Sequence, residues 1–171
     1  DTGMTPYTED LLVQQTTAEY LTNNLGWDSV YAYNDEILGV DGTLGRRSEK
    51  EIIMTRYLNQ ALRKFNPDLP DDAYESGIRQ ISEVSSAHTL LATNQEKYDL
   101  LKNGVKVRYR NEKNKEKQTV LKIFDFDIPE NNHFLCVREL WVRGEIYRKR
   151  PDIMGFVNGI PLLFIECKNM H

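Results

Sequence analysis

Apolar positions along this chain change their period near residue 104. Before that point they recur at helical spacing; after it they alternate as in strands. A first helix is predicted from Thr8 to Asn24, with Leu11, Leu12, Ala18, Leu21 and Leu25 close to one face and Gly26 placed to end it. Trp27 to Tyr33 alternates like a short strand, and the three glycines of Gly39–Arg47 mark a loop. A second helix is predicted to begin at Ser48. Ser48 and Glu51 have capping-box spacing, and Ile52, Ile53, Tyr57, Leu58, Ala61, Leu62 and Phe65 supply a stripe that Pro67 and Pro70 terminate. A third covers Asp72 to Ser85 with Ile78 and Ile81 inward. A fourth runs from Gln95 to Asn103, capped by Thr93 and Glu96 and stopped by Gly104.

Strands follow. Val105–Arg110 alternates apolar and basic residues, which is the pattern of a strand with one wet face. Thr119–Asp127 and Phe134–Val142 are the next two, and two more flank Asn158-Gly159. Helices followed by a five-strand meander predict an α/β or α+β fold, a central mixed β-sheet flanked by helices.

The length of 171 residues suits a single domain with one core. No run approaches the roughly 18 apolar residues of a membrane span, and the first residues show no basic-then-apolar leader. Cys136 and Cys167 lie in strand-like segments and read as buried thiols of a reduced, cytoplasmic protein. His88, His133 and His171 are too scattered for a zinc pattern.

The net charge is −4, yet the cations cluster. Lys102, Lys106, Arg108, Arg110, Lys113, Lys115, Lys117 and Lys122 face only Glu112 and Glu116 across one stretch. Arg143, Arg148, Lys149 and Arg150 form a second group. Such a basic face can meet phosphates, or be a solvated hairpin and nothing more.

The second group leads into the most informative segment, Arg150-Pro-Asp-Ile-Met-Gly-Phe-Val-Asn-Gly-Ile-Pro-Leu-Leu-Phe-Ile-Glu-Cys-Lys168. Asp152 opens one apolar strand, and Glu166 and Lys168 close the next. Charges at the ends of buried strands need partners, and a metal ion shared by carboxylates beside a lysine suits phosphodiester hydrolysis. Magnesium prefers oxygen, which Asp152, Glu166 and the backbone carbonyl of Cys167 can provide. On an extended strand Glu166 and Lys168 share a face and the Cys167 side chain points away, buried and inert. The lysine can polarise a water or steady the phosphate. Taken singly, Glu-x-Lys reads as a surface ion pair and Pro-Asp as a turn. Their combination after an apolar hairpin and a basic run favours catalysis. Trp141, Tyr147 and Phe156 read as packing residues.

Register makes a sharper demand. A strict two-residue loop at Asn158-Gly159 sets Asp152 across from Ile165, on the wrong face. The site therefore requires a bulge or an odd-length loop, and a three-residue loop Asn158-Gly159-Ile160 is the predicted solution, with Asp152 opposite Glu166.

Pro151-Asp152, thirteen residues, then Glu166-Cys167-Lys168 matches the PD-(D/E)xK signature. The longer string from Arg150 to Asn169 resembles the N-terminal nuclease domain of the R (motor/restriction) subunit of type I restriction enzymes. So do Thr8–Leu11 with Leu25-Gly26-Trp27, and Asn132-His133-Phe134 through Val142. That resemblance implies a restriction-endonuclease-like core. Its metal-binding catalytic carboxylates are Asp152 and Glu166, its catalytic lysine is Lys168, and its cofactor is Mg2+. The implied substrate is double-stranded DNA, cut after ATP-driven translocation. ATP belongs to motor domains, since no phosphate-loop motif occurs here. The implied partners are methyltransferase and specificity subunits in a bacterial or archaeal cytoplasm, with no membrane. Arg148, Lys149 and Arg150 would hold backbone phosphates.

Two departures stand out. The first-helix position that is often acidic in related nucleases matches Gln14, so that Glu9 or Glu19 has to serve, with Glu19 the candidate, or the ligand is missing. The Gln/Tyr helix that follows the lysine in the family would lie past His171, so the chain reads as the N-terminal piece of a longer protein. The rival readings are a non-catalytic module that binds DNA or docks subunits, and a free-standing structure-specific nuclease.

Overall fold

A computed structural model of the chain describes residues 6–33, 35–87, 94–144, 146 and 148–166. Helix α1 (Pro6–Leu25) stops where Gly26 takes a left-handed φ of +70° and the Trp27 N–H turns back onto the Leu21 carbonyl at 3.0 Å. Strand β1 (Asp28–Tyr31) follows, then a long irregular segment, and helices α2 (Thr55–Phe65), α3 (Asp71–Ala87) and α4 (Asn94–Asn103). Gly104, at φ +71°, ends α4 as predicted, while its proposed caps, Thr93 and the side chain of Glu96, lie outside what the structure describes. Strands β2 (Val105–Arg110), β3 (Glu116–Leu121), β4 (Phe134–Arg138), β5 (Val142–Arg143), β6 (Arg148–Lys149), β7 (Ile153–Val157) and β8 (Ile160–Ile165) complete the chain.

The central sheet has the order β1-β4-β7-β8. It is mixed, because β1 runs parallel to β4 while the β4–β7 and β7–β8 pairs are antiparallel. Strand alternation gives it two buried faces. Ala18 and Leu21 of α1 cover Cys136 and Ile153 on one face. Leu44, Met54 and the partly buried Tyr57 cover Leu135, Val137, Met154 and Phe156 on the other. All five residues of β7 are buried, as a central strand requires.

The predicted meander does not form. The strands divide into the central sheet and two separate ribbons, β2–β3 and β5–β6. The run Phe134–Val142 breaks at Glu139, whose φ of +53° no strand accommodates. The run Thr119–Asp127 ends at Leu121, because Asp125 is drawn into a loop with Asn132.

The second helix begins at Thr55 rather than Ser48. Ser48 and Glu51 do make local turn bonds: Ser48 Oγ accepts from Lys50 N–H at 3.3 Å, and the Glu51 carboxylate accepts from Arg47 N–H at 3.1 Å. A capping signal loses here to tertiary structure. Met54 N–H donates to the Gly159 carbonyl at 2.9 Å, and Ile53 and Met54 enter two different core clusters. An α-helix through them would put both on neighbouring positions of one cylinder.

The turn that Met54 meets is itself buried. Asn158 and Gly159, at φ +50° and +81°, form a two-residue turn of type I′. Asn158 is 1% exposed. Its side chain accepts from His133 N–H at 2.8 Å and donates to the Ile123 carbonyl at 2.8 Å and to Asn132 Oδ1 at 3.0 Å. Asn132 in turn accepts from Asp125 N–H at 2.9 Å and donates to the Asp125 carbonyl at 2.8 Å. The Asn158 side chain thus has all of its hydrogen-bonding groups engaged.

Two outcomes are expected. A Cβ on Gly159 would lie 2.4 Å from the Met54 carbonyl oxygen at a φ that disfavours side chains. Gly159→Ala should therefore cost about 2–4 kcal/mol in urea unfolding. The Asn131 amide, helped by the N–H groups of Ile128 and Asp127, holds the Asp125 carboxyl down to about 2 from 3.8. A carboxyl depressed in the folded state stabilises above its unfolded pKa and loses that contribution as pH falls through the folded one. The urea midpoint should drop between about pH 4 and about pH 2, and less steeply in Asp125→Asn.

Candidate functional site

The β7–β8 hairpin starts in strict register. Val157 pairs with Ile160 and Phe156 with Pro161. The ladder then slips: Gly155 faces Leu163, Met154 faces Phe164 and Ile153 faces Ile165, leaving Leu162 as the extra residue of a β-bulge. Pro161 has no N–H to lose from the ladder. Gly155 admits the close approach, since a Cβ there would come within 3.0 Å of both Leu163 and Trp27. The loop is thus two residues, not the predicted three, and the slip that the sequence demanded arises within β8 instead.

Carried one position past its last pair, this register sets Asp152 across from Glu166. The alternation that buries Met154 and Phe164 against the same cluster assigns Asp152 and Glu166 to that shared face. Asp152 is half-buried and Glu166 exposed. Cys167 and Lys168 lie outside the described residues.

On the other side, Asp152 adjoins an acid that pattern reading passed over. The β4–β7 register continues to Glu139, whose N–H donates to the Asp152 carbonyl at 3.0 Å. Glu139 is 5% exposed. Its carboxylate accepts from Tyr31 Oη at 2.9 Å and lies 4.0 Å from Arg150 Nε. Its signal in the sequence was a charged pair, Arg138-Glu139, inside an otherwise apolar run.

On α1 it is Gln14 that faces the sheet. It is 2% exposed and accepts from Arg138 Nε at 2.8 Å. Glu19 sits on the solvent side, where it accepts from the Gln15 amide at 2.9 Å. The side chain of Glu9 is outside the described residues.

The basic residues before Asp152 are held at different places. Arg148 makes a two-pronged bond to Glu49 at 2.9 and 3.0 Å and lies 3.6 Å over the Trp141 ring. That hydrogen bond, with the charges of Arg148 and Arg143, keeps the Glu49 carboxyl below its usual range and pushes the Arg148 guanidinium up. Arg150 lies between Tyr33 and Trp141, 4.4 and 4.9 Å from the ring centres. Lys149 is exposed. Trp141 is therefore a platform for arginines, Phe156 is core as expected, and Tyr147 lies outside the described residues.

Neighbouring carboxylates on adjacent strands fit magnesium, which binds through one or two carboxylates and keeps waters on its other positions. Among the described residues no three His, Cys, Asp or Glu side chains form a closed metal cage. The buried Cys136 thiol is pushed up by desolvation and is chemically quiet.

A mixed α/β domain with two acids at the end of its central sheet is the class that fold and site define. Residues 6–171 match the model of the family described as Type I restriction enzyme R protein N terminus, and the chain belongs to that family. It is 35% identical over 158 residues to the type I restriction enzyme HindI endonuclease subunit of Haemophilus influenzae, covering 92% of this chain and 14% of that one. It is 26% identical over 166 residues to the putative type I restriction enzyme MjaIXP endonuclease subunit of Methanocaldococcus jannaschii, covering 94% and 15%. The chain thus spans about one seventh of the length of these relatives. No solved structure matches it. No described helix is long and apolar enough to cross a membrane.

Removing the Glu139 carboxylate takes away the 2.9 Å hydrogen bond from the Tyr31 hydroxyl and the charge that faces Arg150. Glu139→Ala should cost about 1–3 kcal/mol in urea unfolding, and Glu139→Gln, which still accepts from Tyr31, less.

Proposed function

We propose that this chain is the metal-dependent endonuclease domain of a type I restriction enzyme R subunit, and that it hydrolyses phosphodiester bonds of double-stranded DNA. The observation that carries this reading is the register slip at Leu162, which aligns Asp152 with Glu166. Family membership supports a nuclease as the reaction class.

In this reading Asp152 and Glu166 hold Mg2+, joined by the Cys167 carbonyl. The bound ion would neutralise phosphate charge and lower the pKa of a water. Asp152 is positioned through its own backbone, which the Glu139 N–H anchors. Glu166 and Lys168, two residues apart on one strand, work on the same face. The Lys168 ammonium orients the attacking water and offsets the charge gathering on the phosphate oxygens. Lys149 and Arg150 approach the backbone on the 5′ or 3′ side without reading bases, and Arg148 braces them through Trp141.

The domain, residues 1–171 in the numbering of this sequence, is one part of a longer subunit whose other parts couple cutting to ATP-dependent translocation. Its partners are the methyltransferase and specificity subunits, and its setting is the cytoplasm of a bacterium or archaeon.

The test uses the full subunit with those partners, plasmid DNA, magnesium and ATP. Asp152→Ala and Lys168→Ala should each slow cutting at least about 100-fold and leave ATP turnover intact. Unchanged cutting in both variants contradicts the proposal.

A further inference from the structure

The basic run of the sequence forms a separate piece of the fold that the nuclease reading leaves unused. Among the described residues strands β2 and β3 pair only with each other, in a six-pair register from Val105↔Leu121 to Arg110↔Glu116. Val105, Val107 and Leu121 are buried, so alternation drives Lys106, Arg108 and Arg110 onto the solvent face. The tip is ordered. Asn111 Oδ1 accepts from the N–H groups of Lys113 and Lys115 at 3.0 and 2.9 Å, and Asn111 N–H donates to the Lys115 carbonyl at 3.0 Å. Lys113, Lys115 and Lys117 are exposed around it.

Charge separates sharply. From Val105 to Leu121 six cations against two glutamates give +4, so the remainder of a chain of net −4 carries −8. Little on the ribbon offsets this. Arg108 and Glu116 come no closer than 4.0 Å and are 72% and 59% exposed, a pairing of small worth. Six cations on one two-stranded ribbon repel one another, and a polyanion relieves that repulsion.

We propose that the β2–β3 ribbon docks on the phosphate backbone of duplex DNA, independent of sequence and away from the point of cleavage. Cations two residues apart on a strand are about 6.8 Å apart along it, close to the roughly 7 Å between neighbouring phosphates of one DNA strand, of which the rise of about 3.4 Å is only the axial part. A two-stranded ribbon also has the width that the major groove of DNA admits. The ribbon shares its core cluster with Ile160, at the Asn158-Gly159 end of the hairpin. Asp152 and Glu166 stand at the other end, beyond a five-residue strand about 17 Å long. These cations therefore act on affinity and leave the chemical step alone. The inference rests on DNA being the substrate, as proposed above, but not on the identity of the catalytic groups.

The test is binding of the 171-residue chain to a short fluorescent duplex of random sequence, without magnesium, across a salt series. The variant carrying Lys106→Ala, Arg108→Ala and Arg110→Ala should bind about 10-fold more weakly at about 50 mM salt, with a salt slope smaller by about 3. Lys106→Arg with Arg108→Lys and Arg110→Lys should bind as the parent does. An unchanged thermal midpoint shows that the alanine variant is folded. Parental affinity and slope in that variant overturn the proposal, as does a parent chain that ignores duplex. Loss of association with the partner subunits at unchanged DNA affinity makes the ribbon a protein dock and also overturns it. In the full complex, loss of cutting in Asp152→Ala beside normal DNA affinity in the alanine variant removes the ribbon and keeps the nuclease. Normal cutting in Asp152→Ala beside lost affinity in the alanine variant does the reverse.

Discussion

One unpaired residue, Leu162, decides which way the charged end of the β7–β8 hairpin faces. Side chains on a strand alternate with a period of two, so a slip of one residue exchanges the faces of everything beyond it. Without the slip Asp152 would oppose Ile165, and carboxylate and isoleucine would compete for one surface. With it, Ile153 and Ile165 pair on the α1 side, Met154 and Phe164 pair on the other, and the two acids fall in line. The bulge loosens the ladder locally, but it sits where Pro161 already interrupts it and where Gly155 leaves room.

A slip of this kind holds only if the turn cannot take it up. Here the turn is locked from three sides. Asn158 is bonded to His133, Ile123 and Asn132, and the Gly159 carbonyl accepts from Met54 at the head of α2. A buried turn held at these points has one length, so the odd residue must appear further along β8. The entry to β7 is held just as firmly. Arg46, 1% exposed, donates to Glu36, to the Trp141 carbonyl at 2.6 Å and to the Glu49 carbonyl at 3.3 Å. Glu49 then clamps Arg148, and Arg148 and Arg150 stack on Trp141. A buried ion pair is weak evidence for stability. Its use here is geometric, because it ties the loop after β1 to the strands that deliver Asp152.

Much of this was readable from residue order. Glycines 26 and 104 ended helices where their left-handed φ values place them, and the alternation of Val105–Arg110 matched its burial. The need for a register shift was readable too, because apolar strands that end in acids impose a parity constraint whether or not the loop is known. What could not be read came from contacts distant in sequence. Ser48 and Glu51 carry a helix-start signal that Met54 overrides by bonding Gly159, more than a hundred residues later. The strand Phe134–Val142 breaks at Glu139, because that residue turns to meet Tyr31, Arg150 and Asp152. Pro161 and Gly155 marked the bulge, yet neither says alone that the extra residue is Leu162.

The central claim is that Asp152 and Glu166 share a divalent ion. It is tested most directly by anomalous scattering from crystals of this chain soaked in manganese, which takes the same oxygen ligands as magnesium. A manganese peak ligated by both carboxylates, and absent in Asp152→Ala, is the expected result. Manganese bound elsewhere with neither carboxylate as ligand, or the two acids on opposite faces of the hairpin, would contradict the claim.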